Sequence, residues 1–261
     1  MSGRMGDDME EPTRTIVRAI VLAVSALFLL PLQAQAERDW EFSAGVFGGK
    51  AFHSDQNMDI NFGDYGGPAA HGTIHGVTLN DSGTFGGKLT AFHLPRKYNW
   101  QPQVGLELDF TRFTADLHPQ QRGAEGTVNI PGMEIVGYTF NWVEDLSVNT
   151  LAANLLFRYP VWSTPDLPQG RIAPYVGIGA GVQRAVMSLQ IIPYREVSYA
   201  PAGQVLVGMK FFVMKNLAVF GEYKRIWSSH DFLDPALFSP GFEETWSLAT
   251  NVLVGGVSLH F

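Results

Sequence analysis

From residue 104 to residue 111 the chain alternates strictly. Val104, Leu106, Leu108 and Phe110 are apolar, while Gly105, Glu107, Asp109 and Thr111 are small or polar. A period of two sends successive side chains to opposite faces of a strand, so this stretch reads as a strand with one apolar and one polar face. The pattern recurs. Val176, Ile178, Ala180 and Val182 oppose Gly177, Gly179, Gly181 and Gln183. Val205, Val207, Met209, Phe211 and Val213 oppose Gln204, Gly208 and Lys210. Eight such segments are predicted, at residues 40–52, 83–94, 103–116, 146–159, 171–187, 200–213, 217–227 and 244–261. Each is long enough for the roughly 9–11 residues that a tilted membrane-crossing strand needs.

Composition sharpens the choice between a soluble sandwich and a membrane barrel. Only 16% of residues are charged, against about 25% in an average soluble protein. Mean hydropathy is close to neutral at +0.02, which excludes a bundle of membrane helices. Strands that alternate between lipid and a polar interior reconcile low charge with neutral hydropathy. The absence of cysteine removes thiolate nucleophiles and cysteine-based metal sites. A net charge of −7 argues against a nucleic-acid partner.

Ahead of the first segment, Arg14 and Arg18 precede the apolar run 19–30, then Pro31 and Ala34-Gln35-Ala36. A basic region, an apolar core too short to span a bilayer and a small-residue site in that order make a cleaved signal peptide over residues 1–36. Glu37 is then the mature N-terminus, and residues 37–261 form the barrel domain. Asp7, Asp8, Glu10 and Glu11 ahead of the arginines depart from the usual pattern.

The connections alternate in length, at about 30, 8, 29, 11, 12, 3 and 16 residues. Short periplasmic turns and long outer loops are the habit of outer-membrane barrels. With both termini periplasmic, the long loops face outward, residues 53–82 and 117–145 above all. The first is rich in glycine, asparagine and aspartate; the second holds Pro119, Pro131, Met133 and Trp142. On this topology Trp40, Trp100 and Trp162 mark the periplasmic interface, and Trp142, Trp227 and Trp246 the outer one, as amphipathic rings do.

The last segment ends Asn251-Val-Leu-Val-Gly-Gly-Val-Ser-Leu-His-Phe261. With Val257 and Leu259 on the face of the terminal Phe261, it resembles the assembly signal of bacterial outer-membrane barrels. Ala173-Pro-Tyr-Val-Gly-Ile-Gly-Ala-Gly-Val182 and Phe220-Gly-Glu-Tyr-Lys224 are similar to strands of small OmpA-like and Opa-like barrels. The resemblance implies an all-β, closed antiparallel eight-stranded transmembrane barrel in the bacterial outer membrane. It also implies the barrel-assembly machinery, outer-membrane lipid and lipopolysaccharide as partners. Unlike full OmpA-type proteins, the sequence leaves no room for a peptidoglycan-binding domain.

The faces opposite the apolar series carry acids Glu41, Glu107, Asp109 and Glu222 and bases Lys88, Arg158, Lys210 and Lys224. An eight-stranded barrel is just wide enough for side chains to fill it, so these charges are expected to pair as a plug. A narrow conduction path gated by the same pairs is the alternative. On the four outward-running strands the lipid-facing series ends in a base: Lys50, Arg112, Arg184 and Arg225. Mid-bilayer cations cost about 2–4 kcal/mol and interfacial ones about 0–1, so these four are expected to form a collar at the outer rim. Phosphates of lipopolysaccharide are its expected ligand.

A catalytic reading finds little to build on. His71-Gly-Thr-Ile-His75 has ligand spacing only on a helix, and Gly66, Gly67, Pro68, Gly72 and Gly76 argue for a loop. His53 and His118 fall in the same outer loops, and His93 and His260 at periplasmic strand ends. Ser228, Ser229, His230 and Asp231 hold the residue types of a serine triad, but neighbours in one loop rarely adopt its geometry. The histidine-x-serine-asparagine motif of lipid A deacylase-like barrels is missing, so solvated loop residues are the expected reading and a lipid-modifying enzyme is the second alternative. No cofactor or metal is implied. The expected role is structural or surface interaction through the outer loops.

Overall fold

A computed structural model describes residues 39–62, 70–98, 100–128, 134–135, 138–140, 144–164, 167–189, 194–234 and 242–261. The signal peptide expected at residues 1–36, Pro131, Met133, Trp142 and the Gly66-Gly67-Pro68 stretch lie outside them. The strands in chain order are β1 (Trp40–His53), β2 (Gln56–Phe62), β3 (Ala70–Val77), β4 (Ser82–His93), β5 (Gln103–Thr114), β6 (Gln120–Arg122), β7 (Ala124–Val128), β8 (Glu134–Ile135), β9 (Tyr138–Phe140), β10 (Glu144–Arg158), β11 (Ile172–Leu189), β12 (Tyr194–Met214), β13 (Leu217–Asp234) and β14 (Phe242–His260).

Eight of them close on themselves in the order β1-β4-β5-β10-β11-β12-β13-β14, with β14 returning to β1, and all their pairings are antiparallel. The closing ladder runs from Ser43↔His260 to His53↔Thr250. It continues to the chain's end, where the amide of Phe261 donates to the carbonyl of Phe42 at 2.8 Å. Stepping across paired residues from Glu41 leads through Phe92, Gly105, Leu156, Gly177, Leu206, Lys224 and Val252 to Ala51. One circuit therefore climbs ten residues, from 41 to 51. With eight strands, that offset tilts each by roughly 40° to the barrel axis.

Alternation sets the two faces. Along β5, Val104, Leu106, Leu108 and Phe110 are exposed, and Gln103, Glu107, Asp109, Thr111 and Phe113 are buried. The same outward exposure holds for Val176, Ile178 and Val182, for Val205, Val207, Met209 and Phe211, and for Leu253, Val257 and Leu259. From Trp40 up to Arg112 this apolar belt is roughly 25 Å tall along the axis, the height of an outer-membrane barrel's lipid band. Inward glycines let large rings lie across neighbouring strands. A Cβ on Gly105 would fall 2.5 Å from the Phe92 ring, and one on Gly208 2.5 Å from Tyr175.

The two ends differ. At one, the short-turn end, which holds the closing pair Phe42/Phe261, the connections add no strands, and β12 passes to β13 through two residues. At the other, β-structure continues well past the belt. Residues 53–82 and 117–145, expected as loops, contain β2, β3 and β6 to β9. Of these, β2, β3, β7 and β8 extend the wall from the upper part of β14. Their inward residues Met58 and Ile74 are fully buried. Their outward ones form a row across the sheet: Asp231↔Thr245↔Asp59↔Thr73↔Glu125. Within it the hydroxyls of Thr245 and Thr73 donate to Asp231 and Asp59 at 2.8 and 2.6 Å. The outer face of this sheet is therefore polar and lacks the apolar signal of the belt.

Two further expectations change. Trp246 is not an outer-interface residue: it is 1% exposed and points inward beside Met58, Phe232 and Leu248. Its even position in β14 puts it on the face of Val252 and Val254, opposite Leu253, Val257 and Leu259. Trp40, Trp100, Trp162 and Trp227 are exposed. His71 and His75 lie in a strand instead of a loop, because Ile74 between them packs into the core while β2 and β7 pair on either side.

Candidate functional site: the filled lumen and the basic rim

Three levels of side chains occupy the barrel interior. Nearest the short-turn end, the guanidinium of Arg158 donates to both carboxylate oxygens of Glu41, at 2.7 and 3.1 Å, and to Gln103 at 3.0 Å. The Nδ1 of His260 lies 2.8 Å from Glu41. Arg158 also sits 3.9 Å above the centre of the Phe92 ring. Phe92, Leu156, Tyr175 and Leu206 form an apolar layer over this group.

Halfway up the belt lies the main ionic cluster. The ammonium of Lys88 is 2.6 Å from Glu222, 3.5 Å from Glu107 and 3.9 Å from Asp109. Lys224 is 2.7 Å from Asp109 and 3.3 Å from Glu222. Neutral donors add to the acids' shells, although Oε1 of Glu222 accepts no hydrogen bond. Tyr175 donates to Glu222 at 2.7 Å, and Thr90 and Asn154 each donate to Glu107 at 3.0 Å. The Phe47 and Phe220 rings flank the Lys88 ammonium. All five charged groups are at most 3% exposed. Charges so far from water persist only when paired and hydrogen-bonded. Lys210, also buried, is the odd member: its Nζ has no hydrogen-bond partner and lies between Arg158's level and the cluster, 5.9 Å from the Phe92 ring.

Above the cluster, Gln204 donates to Asn154, and Gln183 donates to Thr150 at 2.8 Å. An uncharged network then joins three strands. The carbonyl oxygen of Gln183 lies 3.0 Å from Nε2 of His230 and also accepts from Ser228, while Nδ1 of His230 lies 3.2 Å from Ser198. Sequence reading placed His230 in a solvated loop; it is fully buried, inside β13. The signal was present in the parity of Glu222 and Lys224, which His230 shares. That alternation also dismantles the serine-triad set, because Asp231 faces outward and bonds Thr245. An apolar roof covers the network, made of Trp246, Phe232, Leu248, Met58, Ile74, Val77 and Leu117.

Candidate metal sites are equally constrained. Four residues along a strand separate His71 from His75 by roughly 13 Å, and both are exposed. Among the described residues no group of three or more metal-ligating side chains occurs.

Lys50, Arg112 and Arg225 are exposed and Arg184 half-buried, all on the outward face. They are not equivalent. Lys50 pairs with Asp81 at 3.0 Å, and that hydrogen bond holds the Asp81 carboxyl below its ordinary range. Arg225 is paired across the ladder with Asn251, whose side chain accepts from Tyr223 at 2.7 Å. Arg112 and Arg184 instead share one row, Arg112↔Asn149↔Arg184. Because a row climbs, Arg184 stands roughly 6 Å higher along the axis than Arg112. By the same geometry Lys50, Arg112 and Arg225 lie within a few ångströms of one level, and Arg184 stands above them. Val257 and Leu259 lie on the apolar outer face, next to the closing ladder.

No protein-family model matches the sequence. A comparison with characterised proteins found no relative. Among solved structures, the chain is similar to the Neisserial surface protein A at 13% identity and a TM-score of 0.43, covering 86% of this chain and 98% of that one. It is similar to the outer membrane protein OprG of Pseudomonas aeruginosa at 13% identity and 0.44, covering 88% and 99%. It is also similar to the outer membrane protease OmpT of Escherichia coli at 8% identity and 0.44, covering 89% and 99%. A surface protein and a protease stand in the same set, so no activity follows from these likenesses.

Proposed function

We propose that this chain is an integral outer-membrane barrel with a filled interior, serving a structural or surface-interaction role through its β-structured loop end. The observation that supports this most is the occupancy of the lumen at every level: ion pairs around Glu41 and Lys88, rings between them, and an apolar roof sealed by Trp246. A water-filled pore is built from about 16 strands, twice the number here. The exposed belt needs hydrocarbon around it, since exposed apolar surface on this scale is foreign to a soluble monomer. In this orientation the short turns and both mature termini are periplasmic, and the sheet carrying Asp59, Thr73 and Glu125 meets the medium. No step of the proposed role is enzymatic.

The test uses the complete protein in cells. It should fractionate with the outer membrane, start at Glu37 and run as a heat-modifiable band. The chain has no cysteine, so single-cysteine labelling is clean: His75→Cys should react with an impermeant maleimide on intact cells, and Asn216→Cys should not. In planar bilayers the purified barrel should give no conductance steps. A narrow conduction path is the second reading, favoured by the unbonded Lys210. Steps that vanish in Lys210→Met would establish it and overturn the filled-lumen role.

A further inference from the structure

The two arginines that share a row outside β5 and β11 belong to a larger rung. Register carries it across four strands as Arg112↔Asn149↔Arg184↔Tyr199, all on the outward face. Each of the four side chains can donate hydrogen bonds, three through nitrogen and Tyr199 through its phenolic hydroxyl. No hydrogen bond or ion pair to either guanidinium is found among the described residues. Two residues nearer the belt, the next rung on that face reads Phe110↔Leu151↔Val182↔Pro201 and is wholly apolar. Two residues further out it reads Thr114↔Ser147↔Val186↔Val197, again without charge. The nearest acid on these strands' outer face, Asp145, lies two rungs above Asn149, in the rung of Arg195.

We propose that this rung is a discrete binding site for the phosphorylated headgroup of an outer-leaflet glycolipid, the lipid A portion of lipopolysaccharide. The inference deepens the outer-membrane reading above and rests on it. Two independent features match the two halves of such a molecule. Arg112 and Arg184 stand two strands apart, roughly 10 Å between backbones, so both forks converge on a phosphate held over Asn149. Guanidinium pairs with phosphate oxygens bidentately and loses little hydration in doing so. The rung of Phe110, Leu151, Val182 and Pro201 directly beneath offers acyl chains a continuous apolar track. A ring of snorkelling bases would serve any interface equally at Lys50, Arg112, Arg184 and Arg225. The structure instead sets Arg112 and Arg184 in one rung, commits Lys50 to Asp81 and leaves Arg225 without a second base in its rung.

The test compares R112Q/R184Q with K50Q/R225Q in the full-length protein, each first confirmed as a folded, heat-modifiable barrel. Bisphosphorylated lipid A is titrated into delipidated protein in detergent, and bound lipid is counted by native mass spectrometry. R112Q/R184Q should bind about tenfold more weakly, the loss of a charge-assisted bidentate contact, and K50Q/R225Q within twofold of wild type. R112K/R184K, which keeps the charge without the fork, should fall between and guards against a folding defect in the glutamine pair. Equal weakening in both glutamine pairs would overturn the site in favour of generic snorkelling. Phosphatidylglycerol binding as tightly as lipid A would overturn the glycolipid assignment, and unchanged binding in R112Q/R184Q would overturn the site outright. Because the titration needs no cells, a barrel that fails to fractionate with the outer membrane would sink the placement while this measurement still reports on the rung.

Discussion

Replacing Lys88 by methionine removes the hub of the central cluster while keeping the volume of its stem. Its ammonium is the shortest-range partner of Glu222 at 2.6 Å and contributes to Glu107 and Asp109 at 3.5 and 3.9 Å. After the change, Lys224 still pairs with Asp109 and Glu222, and Glu107 has no ion-pair partner among the described residues. Breaking a buried pair from one side costs about 3–5 kcal/mol, because the surviving charge has been taken from water without compensation. Neutral donors soften the effect: Tyr175 still serves Glu222, and Thr90 and Asn154 still serve Glu107. The lower part of the range is therefore expected. Reversible urea unfolding in lipid vesicles should show the midpoint falling by roughly 1–2 M at ordinary urea sensitivities. Adding Glu222→Gln to Lys88→Met should restore much of the loss, since a neutral amide needs no counter-ion. Lowering the pH should also narrow the gap between variant and wild type, because a protonated carboxyl no longer carries the buried charge. A midpoint that does not move, together with a double variant no better than the single, would mean that water reaches the cluster and that the interior is not a dry plug.

Gly105→Ala should destabilise the barrel by about 1–3 kcal/mol through overpacking, since its Cβ would meet the Phe92 ring at 2.5 Å and a backbone oxygen at 2.9 Å; shortening Phe92 to leucine should recover part of the loss in the same urea assay. Deleting Phe261 should lower the yield of heat-modifiable barrel in the outer membrane more than it lowers the unfolding midpoint of the barrels that do form, and equal effects on both would reduce its role to packing.

Where lipid surrounds the wall, the residues themselves reveal the strand. In β5 the contrast between Leu106 or Leu108 outside and Glu107 or Asp109 inside is as large as chemistry allows, and the segment's start was legible to the residue. The lumen charges were legible for the same reason. Their partners were not: Lys88 meets Glu222 from 134 positions away, and only closure of the wall fixes which acid it faces. Above the belt the contrast collapses. Both faces of β13 beyond Trp227 carry polar groups, Ser228 and His230 within and Ser229 and Asp231 without, so the strand looked like a loop although its pairing with β14 runs on to Asp234. Trp246 was misplaced by residue type, which suggested an interface, where parity counted back from Leu259 pointed inward. Likewise the outward-facing parity of the four bases was legible. Their division into a pair and two separate bases depends on register across β10 and on Asp81.

The pairing of β14 has a consequence for the order in which the molecule can be made. This strand borders β13, β1 and β2 at once, and Ser43, paired with Thr90 on one side, finds its partner on the other only at His260. A contact of such sequence separation pays nearly the whole loop-closure entropy of the domain before it returns any stabilisation. Until the nineteen residues of β14 arrive, β1 and β13 remain open edges and the sheet of β2 and β3 has nothing to extend. Closure of the wall and construction of its surface sheet are thus one late event, and a chain stopped short of β14 would display two adhesive edges in place of a shortened barrel.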